Sequence, residues 1–458
     1  MEEISFGTSG WRATLDVFTA PRVRMIAQAV ADYLADEGRG GDPVAIGYDA
    51  RETSRGFAEE IARVVAANGH DVLLPARDVP TPMVAHAIVS RDLAGGLVVT
   101  ASHNPPEYNG VKFFPANGRP SMPAVTDAIE ANLRKPDPGP EESWGSVREV
   151  DFVEPPLADA MDLLSPDLDG LTVVYDAMHG SGRDVTDRLL ERAGATVHRV
   201  RGERDPEFGG TPPEPSRERL QPLVDAVRER DADLGVANDG DADRIAVVTP
   251  ERGFLDENLF FAAAYDYLLE SDSGPAVRTV STTFLVDRVA RAHDEEVVET
   301  PVGFKWVAQA VSEHDALVGG EESGGFTIRG HVPTKDGVLM ALLAASAAAE
   351  RSLDDRVDDL LATHGRVVQD KASVECPEAE KQRVLDELEA GFPGTIAGRA
   401  VEEINPVDGV KALLADGSWI LVRPSGTEPK MRVYAEGESE DAVDELLAAG
   451  RRLVEPLA

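Results

Sequence analysis

Three aspartates at alternate positions, Asp239, Asp241 and Asp243, stand in the run Asn238-Asp239-Gly240-Asp241-Ala242-Asp243-Arg244. Small residues separate them, so a tight loop can turn all three carboxylates to one point. Carboxylates that close repel one another unless a hard cation neutralises them, which points to magnesium or calcium. The competing reading is a solvated acidic turn. Apolar runs on either side, Leu234–Ala237 and Ile245–Val248, argue against it, because they bracket the loop with buried-looking strands. An EF-hand is excluded, since its glycine position would be Arg244 and its twelfth-position glutamate Pro250.

Three further runs carry reactive side chains. Thr100-Ala101-Ser102-His103-Asn104-Pro105 offers a hydroxyl directly after an apolar stretch, and Lys112 follows in Tyr108-Asn109-Gly110-Val111-Lys112. Lys112 suits a phosphate-binding cation or a tuned acid/base. A Ser–His pair alone is more often a hydrogen-bonded turn, and neither a G-x-S-x-G elbow nor an obvious Ser/His/Asp triad accompanies it. Arg423-Pro424-Ser425-Gly426-Thr427-Glu428-Pro429-Lys430 combines two cations, two hydroxyls and a glycine-freed backbone, a plausible phosphate cradle. Its bland alternative is a hairpin turn. No Walker A run exists in the chain, which disfavours nucleotide hydrolysis. Gly320-Glu321-Glu322-Ser323-Gly324-Gly325 has glycines that let backbone approach a ligand, with carboxylates and a hydroxyl suited to sugar hydroxyls.

These runs need elements to hold them. The first ~150 residues alternate helix and strand signals, with a capped helix after Thr19, strands at 44–47, 71–74 and 96–99, and a helix over 57–68. A Pro- and acid-rich linker, Lys135–Glu142, precedes a second unit with strands at 171–175, 196–200 and 234–237 and helices over 185–194 and 220–230. A third follows with a helix near 258–269 and strands at 278–281 and 316–318. The tail reads differently: a strand at 371–376, a helix over 378–389, strands at 410–414, 419–422 and 431–436, and a closing helix near 440–453. It is a small α+β domain. The expected domains are 1–145, 146–250, 251–367 and 368–458: three related α/β domains with mixed sheets and a smaller C-terminal α+β domain around a central cleft. In each of the first three, an apolar strand leads straight into one of the polar runs. Ligands of open α/β sheets bind at such carboxyl ends.

Composition narrows the partners. The 458 residues carry 83 acidic and 45 basic side chains, a net charge of −38. Such a field repels nucleic acid and anionic membranes, so neither is an expected partner. The acids are spread along the chain, which favours a surface built for a salt-rich, halophilic cytosol over a local face for a basic partner. One cysteine, Cys376, excludes an intrachain disulfide. The start Met1-Glu2-Glu3 resembles no export signal, and the apolar run Val338–Glu350 is too short to span a membrane. The expected location is cytoplasmic.

Together the four runs resemble, in order, the motifs of the α-D-phosphohexomutases: phosphoglucomutases, phosphomannomutases and phosphoglucosamine mutases. Gly7-Thr8-Ser9-Gly10-Trp11-Arg12 resembles that family's N-terminal phosphate-contacting segment. The resemblance covers essentially the whole chain. It implies a phosphorylated Ser102 that donates to a hexose phosphate, with Mg²⁺ held by Asp239, Asp241, Asp243 and an oxygen on Ser102. Arg12, Lys112 and Arg244 would flank the phosphoryl group, with Lys112 as first choice of general base and His103 as second. Glu321, Ser323 and Lys305 would contact the sugar, and Arg423, Ser425, Gly426 and Thr427 the phosphate that does not react. The product of the first transfer would be a hexose 1,6-bisphosphate, which would also serve as activator. Gly325 stands where some mannose-handling members carry histidine, and His331 is the residue expected to compensate. Glucose 1-phosphate is therefore the first expected substrate, mannose phosphate the second, and glucosamine phosphate ranks behind both. A non-catalytic, Mg²⁺-stabilised sugar-phosphate binder, a phosphatase and an acidic scaffold are the competing classes. Oligomeric state is left open.

Overall fold

The computed structural model describes residues 4–7, 10–426 and 428–458. Three of its four sheets share one strand order. The first contains, side by side, Tyr108–Pro115, Gly95–Val99, Val44–Tyr48 and Val72–Leu74; the second, Ile245–Thr249, Leu234–Asn238, Thr172–Asp176 and Thr196–Val200; the third, Gly325–Ile328, Val318–Glu321, Ala276–Thr279 and Val297–Thr300. In every case three strands are parallel and the first-named returns antiparallel. The three polar runs are thus equivalent: each joins a central parallel strand to its antiparallel neighbour. They are hairpin loops rather than strand-to-helix turns, and all lie at the carboxyl end of a buried strand.

Two elements cross the expected boundaries. Val147–Glu149 pairs parallel with Val72–Leu74, so the first sheet extends beyond residue 145. The helix Gly337–Glu350 belongs in sequence to the third unit but packs on Thr186–Arg192 and on strands Leu234–Asn238 and Ile245–Thr249 of the second. Its alanines and leucines are apolar all round, so it must be covered on every side. Its residues and those of the first three units' facing layers form one continuous core.

The fourth sheet is wholly antiparallel, in the order Val368–Glu375, Lys430–Gly437, Trp419–Pro424, Val410–Leu414, Arg399–Asn405, Thr395–Ile396. Helices Lys381–Gly391 and Glu440–Val454 cover it. This is the expected α+β domain. At the other end of the chain, the helix Ala20–Asp36 forms as expected, but the Thr19 side chain makes no capping bond, and Pro21 sets the start. Among the described residues no helix is long and apolar enough to cross a membrane.

Candidate active site

Ser102 lies in the hairpin loop after Gly95–Val99 with a left-handed backbone, φ 53°. Its side chain is buried, and its hydroxyl donates to Asp239 Oδ2 at 2.7 Å. His103 Nδ1 stands 3.3 Å from the Ser102 hydroxyl oxygen. The aspartate loop packs directly on the serine loop: a Cβ at Gly240 would meet the Ser102 carbonyl oxygen at 2.6 Å, so only glycine permits the approach. Two elements of different units are thereby locked at the point where the hydroxyl meets a carboxylate.

The three aspartates are buried, with ligand oxygens all within 4.8 Å of one another. Asp241 Oδ1 and Asp243 Oδ1 have no hydrogen-bond partner among the described residues. Orphaned carboxylate oxygens at such spacing fit a hard divalent cation. Asp239 Oδ1 accepts from the Arg244 backbone N–H at 3.1 Å. Lys112, on the returning strand Tyr108–Pro115, donates to Asp241 at 2.7 Å and Asp243 at 2.9 Å.

Around this centre opens a cleft of about 590 Å³ shared by all four domains. Its walls include Arg12, His103, Arg244, Glu321, Ser323 and Arg423, with Ser425 and Gly426 beside the last. Every residue expected in the site is therefore assembled except two. Lys305, in the first turn of Phe304–Glu313, lines a narrower adjoining cavity with Lys112 and Asp243. Thr427 lies outside the described residues, as do Thr8 and Ser9 of the N-terminal motif.

Comparison with known proteins agrees with this assembly. Residues 3–139, 157–253 and 256–364 match the phosphoglucomutase/phosphomannomutase alpha/beta/alpha domains I, II and III, and residues 372–453 match that family's C-terminal domain. A probable phosphoglucosamine mutase of Methanopyrus kandleri is 34% identical over 98% of both chains. A phosphoglucomutase/phosphomannomutase of Thermococcus kodakarensis is 31% identical, again over 98% of each. The chain belongs to this family, the α-D-phosphohexomutases. Its members are isomerases that move a phosphoryl group within a sugar. In the solved structure of a phosphoglucomutase/phosphomannomutase family protein from Burkholderia thailandensis the same fold recurs, with 23% identity, a TM-score of 0.84 and coverage of 99% of this chain and 97% of that one.

The electrostatics of this phosphohexomutase bear on the expected roles. Burial opposes the charge on Lys112, but Asp241 and Asp243 outweigh it and hold the ammonium above its ordinary range. A lysine paired with two carboxylates is held as a cation, the first of the two roles its position suited. Burial, then Asp241 and Asp243, push Asp239 well up, since the Lys112 ammonium is paired with the other two carboxylates. His103 is driven down by Arg244, then by burial and Arg12, so its imidazole is neutral. Burial lowers Arg12, although its guanidinium remains a donor and binds Asn104 Oδ1 at 2.9 Å. Arg244 keeps a raised value because Asp239 and Asp243 outweigh its burial, and its Nε, 4.0 Å from Asp243 Oδ1, has no hydrogen-bond partner among the described residues. Glu321 is raised by burial. It accepts from the Gly303 backbone N–H at 2.9 Å, which ties the sugar loop to the helix of Lys305.

Several residues that organise the site escaped the sequence reading. Arg51 is buried and donates to the carbonyls of Ser102 (2.9 Å), Asn104 (2.6 Å), Pro105 (2.6 Å) and Tyr108 (3.1 Å). Asp49 pairs with it at 3.1 Å and also accepts from Thr100 Oγ1 at 2.7 Å. One Asp–Arg unit after the strand Val44–Tyr48 thus staples the whole serine loop. Thr81 opens a helix, Thr81–Ser90, that the reading passed over, and its hydroxyl donates to Asp241 at 2.5 Å. In the phosphate loop, Asp408 accepts from Arg423 at 3.0 Å and from the Val302 backbone N–H at 3.0 Å, bridging domains III and IV. Lys381 donates to the carbonyls of Ser425 and Glu428, at 2.6 and 2.8 Å. The signals available were the charges of Asp49-Ala50-Arg51 immediately after an apolar strand and a lysine at a helix start. Neither is distinctive without the contacts.

Proposed function

We propose that this phosphohexomutase interconverts hexose 1-phosphate and hexose 6-phosphate through phospho-Ser102, with glucose phosphate preferred. The observation that carries the reading is the Ser102 hydroxyl on Asp239 within a buried carboxylate cluster, at the floor of a cleft walled by arginines. Asp239, Asp241 and Asp243 would hold Mg²⁺, with an oxygen on Ser102 as a further ligand. When bound, that ion supplies positive charge to the equatorial phosphoryl oxygens.

The chain's own residues supply position and further charge. Arg12 and Arg244 face the cleft beside Ser102 and neutralise the transferring group. Arg423, Ser425, Gly426 and Thr427 take the other phosphate, while Glu321, Ser323 and Lys305 hold the sugar between the two ends. A sugar hydroxyl attacks phosphorus, the bond from phosphorus to Ser102 Oγ breaks, and the hydroxyl proton passes to a cleft base. With Lys112 paired to carboxylates, His103 is the remaining candidate, and the phosphoryl anion would have to offset Arg244, burial and Arg12, which push its imidazole down, for it to take the proton. The resulting 1,6-bisphosphate reorients, and its other phosphate returns to Ser102.

Glucose preference rests on the Glu-Glu-Ser run and on Gly325. The names of the archaeal relatives favour glucosamine phosphate instead. Initial rates with glucose, mannose and glucosamine 1-phosphates, in high KCl with Mg²⁺ and a trace of bisphosphate, decide between them. Glucose 1-phosphate turning over fastest is the expected result, and a higher kcat/KM for glucosamine 1-phosphate would transfer the preference. Conversion of none by folded, phosphorylated protein would overturn the mutase reading.

A further inference from the structure

Asp241, the middle carboxylate of the cluster, is held twice by one residue of another domain. The Thr81 hydroxyl donates to Asp241 Oδ2 at 2.5 Å, and the Thr81 backbone N–H donates to the Asp241 carbonyl at 2.9 Å. Lys112 adds a second donor to the same Oδ2 at 2.7 Å. Asp241 Oδ1 has no hydrogen-bond partner among the described residues. Two donors on one oxygen and none on the other divide the carboxylate: Oδ2 faces protein, and Oδ1 is the oxygen left to a cation.

Thr81 is itself firmly set. It is 1% exposed and opens the helix Thr81–Ser90 between Pro80 and Pro82. Proline stiffens the backbone on both sides, and a β-branched side chain keeps few rotamers, so N–H and hydroxyl are both aimed. The positive end of the helix also favours a carboxylate there. Side chains on either side of the domain boundary clamp this contact. Arg77 donates to the Arg183 carbonyl at 2.9 Å and to Asp184 at 3.1 Å, while Arg183 pairs in return with Asp78. Further along the helix, His86 Nε2 meets Asp159 Oδ2 at 2.6 Å.

We propose that Thr81 is a positioning residue of the metal site: it keeps Asp241 Oδ2 out of the ligand set, so that Asp241 offers a single oxygen, and thereby favours Mg²⁺ over Ca²⁺. Mg²⁺ is small and demands near-octahedral geometry, whereas Ca²⁺ takes a larger, looser shell in which a carboxylate binds through one oxygen or both. A hydroxyl fixed on the second oxygen penalises the looser arrangement. Lys112 alone would hold that oxygen less firmly, because its ammonium rides on a flexible stem. The inference rests on the metal reading of the aspartate cluster.

The test titrates Mg²⁺ and Ca²⁺ separately, by calorimetry, into wild type, Thr81→Val, Thr81→Ala and Thr81→Ser freed of phosphate, with Tm in chelator as the check on folding. Thr81→Val keeps the shape and removes the donor. It should weaken Mg²⁺ binding by about ten- to a hundredfold and Ca²⁺ binding less, moving the ratio of the two affinities roughly tenfold toward Ca²⁺. Thr81→Ala removes the donor without leaving a methyl against Oδ2, and should move the ratio the same way. Thr81→Ser restores a hydroxyl and should return both affinities to within about threefold of wild type. Equal falls for the two ions in the donor-less variants, or affinities within about twofold of wild type, would overturn the proposal. An equal fall with a lowered Tm would mark Thr81 as structural only. Wild type that binds neither ion would overturn the metal reading and the proposal with it, whereas wild type that binds beside variants of unmoved ratio overturns the proposal alone.

Discussion

Arg51→Lys isolates the staple that holds the serine loop. The guanidinium of Arg51 spans four carbonyls of residues 102–108 while pairing with Asp49. A lysine keeps the charge beside Asp49 but cannot reproduce the planar fork, so two or three of the carbonyl bonds are lost. At about 1 kcal/mol net for each, the loop loses ~2–3 kcal/mol of support. Ser102 sits in a left-handed conformation that a non-glycine residue leaves readily, at a cost of roughly 1–2 kcal/mol to hold. The productive loop geometry should therefore become a minority state, and kcat should fall by about ten- to a hundredfold, at ~1.4 kcal/mol per decade. KM should change little, because Arg423, Glu321 and their supports lie in other domains. Steady-state kinetics with glucose 1-phosphate, beside a melting curve, make the measurement. A kcat within threefold of wild type would refute the staple. Arg51→Met, which also strands buried Asp49, should in addition lower Tm, in line with about 3–5 kcal/mol for a broken buried pair.

Other outcomes follow from the same contacts. Asp408→Asn should raise KM severalfold with kcat nearly kept, since Asp408 orients Arg423 and anchors Val302; an unchanged KM in the same assay would contradict it. Chelation of divalent metal should abolish turnover, and Mg²⁺ should restore it in wild type but not in Asp241→Asn, as rate against added Mg²⁺ would read out. Burial, then Arg278, pushes Lys411 down to about 8, while Arg278 is the larger cation holding Glu299. The unfolded chain keeps a proton that the native state gives up between pH 8 and the ordinary lysine value of 10.5, so stability should rise with pH across that window. Lys411→Met should remove that rise and stabilise the protein at pH 7 by up to ~3 kcal/mol, because Glu299 retains Arg278. Denaturant curves at pH 7 and 10 check both parts.

What the sequence made legible was the chemistry carried by short runs of unusual composition. Asp239, Asp241 and Asp243 alternate with small residues between apolar strands, a pattern that favoured a buried loop over a solvated acidic turn. The tail's antiparallel sheet was legible from alternating apolar positions. Contacts made across domains were not. Arg51 acts on backbone carbonyls fifty residues away, and carbonyls leave no trace in residue type. The helix Thr81–Ser90 carries apolar residues on every side with only His86 polar inside it, so periodicity could not separate it from strand or loop. Lys112 read equally as a phosphate-binding cation or an acid/base because the carboxylates that claim it belong to another domain. Gly325 read as a missing side chain, whereas Lys335 occupies its space.

The central claim is that Ser102 carries the phosphoryl group in transit. Protein phosphorylated with glucose 1,6-bisphosphate, and freed of it, should show one phosphate by mass spectrometry, located on Ser102. Mixed with glucose 1-phosphate in a single turnover, it should yield glucose 6-phosphate, and Ser102→Ala should neither take up phosphate nor turn over. Phosphate on another residue, or conversion sustained by Ser102→Ala, would contradict the account.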